Sequence, residues 1–189
     1  MITLAYVAVC IGLWVYINFI AQGDKYQTAM RLGALYPPRI ERKKEYWRMI
    51  TCNFIHVDIM HLFMNCYCIY FLGSAYEGMM GPLYIVFLLF VMIFSSFVTY
   101  YVAVIYNRGY ETLTIGASGV FYGYLGAMIA LGLLVGGNFL AILQSNIYII
   151  AINLLFTMMN PRISKTGHLG GLIGGYLFIY ILYLLGFLS

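Results

Sequence analysis

Long apolar runs separated by short polar breaks dominate this chain. The first extends from about Thr3 to Ala21, and the next from about Val57 to Gly73. Others cover Pro82 to Tyr106, Gly116 to about Val135, a fifth ending near Met159, and a last one opening around Thr166. Each approaches the roughly 20 apolar residues that a helix needs to cross a bilayer. The expected fold class is therefore all-α: a polytopic membrane protein built as a bundle of six transmembrane helices, forming a single membrane domain over residues 1–189. The first run lacks the basic region of a secretory signal and reads as a retained helix.

The breaks carry their own information. Ser74 to Gly81 reads as a short link, with Pro82 at a helix start, where proline is tolerated. Gly136-Gly137-Asn138 reads as a tight turn, and Asn160-Pro161-Arg162 ends the fifth helix. The first connection, Gln22 to Ile55, is too long for a simple hairpin and is expected to be functional. Within it Pro37-Pro38 predicts an extended or turning backbone. Arg39 to Arg48, with Glu41 and Glu45 interleaved, reads as a solvated segment facing anionic headgroups, and Tyr46-Trp47 as an interfacial anchor. Trp14, Tyr16 and Asn18 in the first span give no chemical lead.

Composition narrows the class further. Of 189 residues, 63% are hydrophobic and 8% charged, with a mean hydropathy of +0.90, which leaves no room for a soluble domain. The four cysteines, Cys10, Cys52, Cys66 and Cys68, read as small buried apolar residues. Cys66-x-Cys68 places its two thiols on different helical faces, which argues against a metal knuckle or a disulfide framework.

Against this background a few polar residues stand out. Ile115-Gly116-Ala117-Ser118-Gly119 puts a hydroxyl between glycines at the start of an apolar helix, where unpaired N–H groups point outward and can receive developing negative charge. The same small residues also suit plain helix contacts. His61 and Asn65 lie four apart, on one helical face, and polar groups in a span face protein or water. Interhelical hydrogen bonding is the alternative use for them. His168 opens the last span ahead of Gly170, Gly171, Gly174 and Gly175, a small-residue face for close backbone contact.

Counting crossings brings these places together. The second, fourth and sixth spans all enter the bilayer from one side, so His61, Ser118 and His168 share a depth near one surface. A serine and a neutral histidine within hydrogen-bond reach make a base-activated nucleophile. Tyr122, one turn after Ser118, is placed to orient the imidazole by stacking, and the fourth and sixth spans hold no acid to complete a triad. Asn65, His61 and the Ser118 N–H become candidate oxyanion donors. His56, His61 and His168 also raise metal chemistry, but no H-E-x-x-H and no carboxylate near His168 accompany them, so no metal site is expected.

In combination these residues resemble the rhomboid intramembrane serine proteases. Trp47-Arg48, the His56, His61 and Asn65 run, Leu72-Gly73 with Glu77, Gly116-x-Ser118-Gly119 with Tyr122, and His168-x-x-Gly171 fall in the family's order and spacing. The resemblance implies Ser118 as nucleophile, His168 as general base, and His61 and Asn65 as oxyanion stabilisers, with Tyr122, Gly116 and Gly171 supporting the dyad. Trp47 and Arg48 would belong to a first loop dipping into the membrane, and Arg48 and Glu77 would be structural hydrogen-bonding positions. It implies transmembrane proteins as substrates, the lipid bilayer as surroundings, and no cofactor, metal or nucleic-acid partner. Peptide bonds in or beside transmembrane segments would be cleaved, with a polar cavity admitting water to the dyad. The compact six-span form looks prokaryotic, which places it in a bacterial cell membrane. A catalytically silent relative that binds or escorts membrane proteins is the alternative from another class.

Charge distribution pulls against one part of the resemblance. The ten Lys and Arg residues lie in the first, third and fifth connections: Lys25, Arg31, Arg39, Arg42, Lys43, Lys44 and Arg48, then Arg108, then Arg162 and Lys165. The positive-inside rule makes that face cytoplasmic, whereas compact rhomboids resemble the opposite arrangement.

Overall fold

Apolar runs of bilayer length fold as helices because hydrocarbon offers nothing to bond with, so the backbone must pair internally. A computed structural model describes residues 1–161 and 163–188; Arg162, counted above in the fifth connection, lies outside the described residues. Helix α1 covers Ile2–Ile20, its last turn widened to a π-turn over Tyr16–Ile20. The first connection contains α2 (Lys25–Leu32), α3 (Pro37–Lys43) and α4 (Arg48–Thr51), the last running into a 3-10 turn at Cys52–Phe54. Then come α5 (Ile59–Met80, with a π-turn at Ile69–Gly73), α6 (Leu83–Tyr106), α7 (Ser118–Val135), α8 (Gly137–Met159) and α9 (Lys165–Leu184). Helices α1, α6, α7, α8 and α9 are each long and apolar enough to cross a membrane. A sixth span results when Arg48–Phe54 and Ile59–Met80, bent by 99°, are taken as one. Among the described residues there is no strand, only an isolated bridge between Leu35 and Thr114.

Three expectations are corrected. Ser74 to Gly81 is not a link, because α5 continues through Glu77 to Met80 and the break falls at Gly81, with φ 56°. The helix holds there because Tyr76 is buried, its hydroxyl donating to the Tyr124 carbonyl at 2.8 Å, while Glu77 accepts from the N–H groups of Ile2 at 2.6 Å and Thr3 at 2.9 Å. A carboxylate thus caps α1 from a different helix. Pro37-Pro38 is helical rather than extended: the prolines occupy the first turn of α3, where the missing N–H is no loss.

The third correction concerns Arg48 alone within the basic segment, whose other charged side chains are exposed or half-buried; the solvated reading fails there, and the hydrogen bonds found are of the structural kind that the resemblance implies. Arg48 is 1% exposed rather than solvated, its Nη1 donating to the carbonyls of Met30 and Ala34, both at 2.8 Å, and its Nε to Glu45 at 2.6 Å. It closes the C-terminal end of α2, and its guanidinium holds the Glu45 carboxyl below the usual carboxylate range. Trp14 and Asn18 also gain a purpose, since both donate to the Val57 carbonyl and tie α1 to the approach to α5.

The core lies where α6, α7 and α9 meet. A Cβ on Gly171 would strike the Gly119 carbonyl and one on Gly175 the Gly123 carbonyl, so α7 and α9 touch backbone to backbone. Gly170 stands in the same way against Ser95 of α6, where a Cβ would come within 3.0 Å of the backbone. Beside them Tyr76, Tyr84, Phe87 and Tyr124 stack in the interior. Helix α8 is different: only Leu143, Ile150 and Thr157 are buried, a single seam of seven-residue spacing.

Candidate active site

The segment entering α7 is fastened at three points. Leu35 and Thr114 exchange backbone hydrogen bonds at 3.0 Å, Gly116 N donates to the Cys52 carbonyl at 2.9 Å, and Ala117 N donates to His56 Nε2 at 3.2 Å. Gly116 has φ +109°, a conformation that L side chains rarely adopt, and a Cβ there would meet the His61 ring. The chain consequently turns into α7 with Ser118 as its first residue, half-buried.

Helix α5 begins at this point because Asp58 caps it, its Oδ1 accepting from His61 N at 2.8 Å. That places His61 and Asn65 on the face turned toward Gly116: the added Cβ would lie 2.6 Å from His61 Nε2 and 3.5 Å from Asn65 Nδ2. Asn65 is buried, and its Nδ2 donates to His56 Nε2 at 3.0 Å. One amide N–H is held in this way, and the other remains to meet a group beside Gly116. His56 therefore receives both Ala117 N and Asn65 Nδ2, joining the strap before α7 to the polar face of α5.

His168 lies in the first turn of α9, which Ser164 caps by accepting from Gly167 N at 3.2 Å. Its ring stacks on Tyr122 with centroids 4.1 Å apart and planes at 21°. Nδ1 lies 2.8 Å from Thr157 Oγ1, which in turn lies 2.5 Å from the Tyr122 hydroxyl. That hydroxyl also donates to the Asn153 carbonyl at 2.6 Å. Tyr122 is one turn beyond Ser118 on the same face of α7. The Gly119 and Gly171 backbones pass against each other between them, so α9 can press this close only with glycine at the crossing.

The structure thus gathers His61, Asn65 and Gly116 on one side of the head of α7, and Tyr122, His168 and Gly171 on the other. Trp47, Arg48 and Glu77 stand apart in the scaffold: Trp47 is 47% exposed and stacks under the Arg48 guanidinium at 4.7 Å, and Glu77 caps α1. Among the described residues, no group of three or more His, Cys, Asp or Glu is arranged to hold a metal ion. Reading the sequence gave Thr157 and Asn153 no role, and weighed His56 only as a metal ligand and as part of a motif. Asn153 and Thr157 carried the signal that singled out His61 and Asn65, polar residues four apart in an apolar span.

A family model for the Rhomboid domain matches residues 43–185. RHOMBOID-like protein 1 of Arabidopsis thaliana is 32% identical over 162 residues, covering 84% of this chain and 40% of its own length. Rhomboid protease GluP of Bacillus subtilis (strain 168) is 35% identical over 134 residues, covering 70% of this chain and 25% of its own. Inactive RHOMBOID-like protein 8 of Arabidopsis thaliana is 30% identical over 108 residues, 57% of this chain and 29% of its own length. The chain spans about half or less of the length of the curated relatives it matches. These relatives come from a plant and a bacterium, so the bacterial cell membrane expected above gains no support; an integral membrane protein is what the family and the apolar helices establish.

Proposed function

Because the chain belongs to the rhomboid family, we propose that it is an intramembrane serine protease working through Ser118 and His168. The observation that carries this is the convergence at the head of α7: a half-buried serine, with a stacked imidazole on the side of Tyr122 and the buried Asn65 amide and half-buried His61 imidazole on the side of Gly116. His168 Nε2 takes the Ser118 proton as Oγ attacks the substrate carbonyl, and returns it to the departing amine. A water activated by the same ring then hydrolyses the acyl-enzyme. Asn65, His61 and the Ser118 N–H receive the oxyanion. Transmembrane segments that unwind near the surface are the substrates, since a helix hides its carbonyls in internal hydrogen bonds, and a polar cavity brings water to the dyad.

The test is a model transmembrane substrate in liposomes containing the purified chain. Cleavage is expected, stopped by a fluorophosphonate and indifferent to a chelator. Inhibition by the chelator alone would overturn the serine mechanism. The match to a relative named inactive favours a second reading, a silent scaffold that binds membrane proteins; substrate binding with neither cleavage nor fluorophosphonate labelling would establish it.

Asn65 provides a finer prediction. Asn65→Ala removes one oxyanion donor, so kcat is expected to fall about 10²- to 10³-fold with KM nearly unchanged. Steady-state kinetics on the same substrate check this, and a change confined to KM would place Asn65 outside the oxyanion site.

A further inference from the structure

Resting on the serine-protease reading above, we propose that Thr157 is a positioning residue that fixes the His168 tautomer, occupying the place that a carboxylate holds in a triad. The argument follows the protons. The Asn153 carbonyl only accepts, so the Tyr122 hydroxyl 2.6 Å away donates to it. A phenol has one proton, and the Tyr122 oxygen must therefore accept from the Thr157 hydroxyl at 2.5 Å. Thr157 likewise has one proton, now directed at Tyr122, which leaves its oxygen to accept from His168 Nδ1 at 2.8 Å.

Nδ1 then carries the proton and Nε2 keeps its lone pair, the state that a base toward Ser118 requires. Reversing the chain would leave the Tyr122 and Asn153 oxygens 2.6 Å apart with no proton between them. Burial makes the direction binding at the Tyr122–Thr157 end of the chain, where both residues are 2% exposed and water has little access to substitute for a missing partner.

The element that supplies Thr157 adds to its significance. Helices α7, α8 and α9 contain no Asp or Glu, so no carboxylate in them orients the ring. Thr157 belongs to α8, whose buried seam consists of Leu143, Ile150 and Thr157. One residue of the seam that docks α8 thus also sets the tautomer of the base.

Ring nitrogen-15 NMR of the purified full chain reads the tautomer directly, with the His168 signals assigned by their loss in His168→Ala. The wild type is expected to show a protonated Nδ1 and a bare Nε2. Thr157→Val keeps the shape but removes the acceptor, and is expected to mix the tautomers and lower kcat about 10- to 100-fold, part of what a positioned base contributes. KM should stay within about twofold, and Thr157→Ser should restore kcat to within about threefold. Three results would overturn the proposal: a wild-type ring protonated at Nε2, a Thr157→Val ring unchanged in tautomer whatever its kcat, or no rescue by serine. The spectra need no substrate. A chain that cleaves nothing yet shows the Nδ1 proton and its dependence on Thr157 would sink the protease reading and leave the tautomer lock standing.

Discussion

Ser118→Ala is expected to lower kcat for a transmembrane substrate by about 10³- to 10⁶-fold, the range seen when a hydroxyl nucleophile is removed from a base-activated site. The fold should survive. Ser118 is half-buried at the first position of α7, and the segment before it is held by Cys52, His56 and the Leu35–Thr114 bridge rather than by its own hydroxyl. Substrate binding and the thermal midpoint in detergent are therefore expected to stay near those of the wild type. His168→Ala should lose comparable activity but also some stability, because it removes the ring stacked at 4.1 Å on Tyr122 and leaves Thr157 a buried hydroxyl short of a partner. Gel-based cleavage and thermal unfolding of both variants make the measurement. Turnover that survives both substitutions would remove the serine and the imidazole from the reaction together.

The second large effect is on stability. Gly175→Val is expected to destabilise the bundle by about 3 kcal/mol or more, because overpacking usually costs less only where side chains can move aside, and here the obstacle is backbone. The added Cβ would strike the Gly123 carbonyl, with the Gly123 Cα 2.8 Å away, and neither helix can yield without parting α7 from α9. Since those two helices carry Ser118 and His168, activity should fall with stability. Gly12→Ala is the control: nothing lies within 4 Å of a Cβ there, and alanine suits a helix interior better than glycine. Thermal unfolding in one detergent compares the two, and equal midpoints would mean that the α7 and α9 backbones are not in contact.

How much of this was legible beforehand follows from what a sequence pattern encodes. Asn65 and His61 could be placed on one face because helical periodicity is a local property. The glycines of the last span announced close packing for the same reason, and Gly171 and Gly175 do meet α7. Glu77 and Arg48 were visible as polar residues, but their partners were not. Glu77 caps a helix more than seventy residues away, and Arg48 closes the end of α2 from a short helix that the connection gave little reason to expect. Pro37-Pro38 was misread because the residue before a proline disfavours helix, whereas two prolines at the very start of one are compatible with it.

Sequence by itself determined the all-helical membrane architecture, since apolar runs of bilayer length admit little else, and it led to the expectation that His61, Ser118 and His168 lie near one face of the membrane, since crossings alternate. What it left open was rotation about each helix axis and the partner each polar atom meets. Those were decided by contact between helices: the glycine crossing that lets α9 approach α7, His56 taking both Ala117 N and Asn65, and Thr157 of α8 reaching His168. Periodicity says which residues of one helix lie together, while only the packed bundle says what lies opposite them.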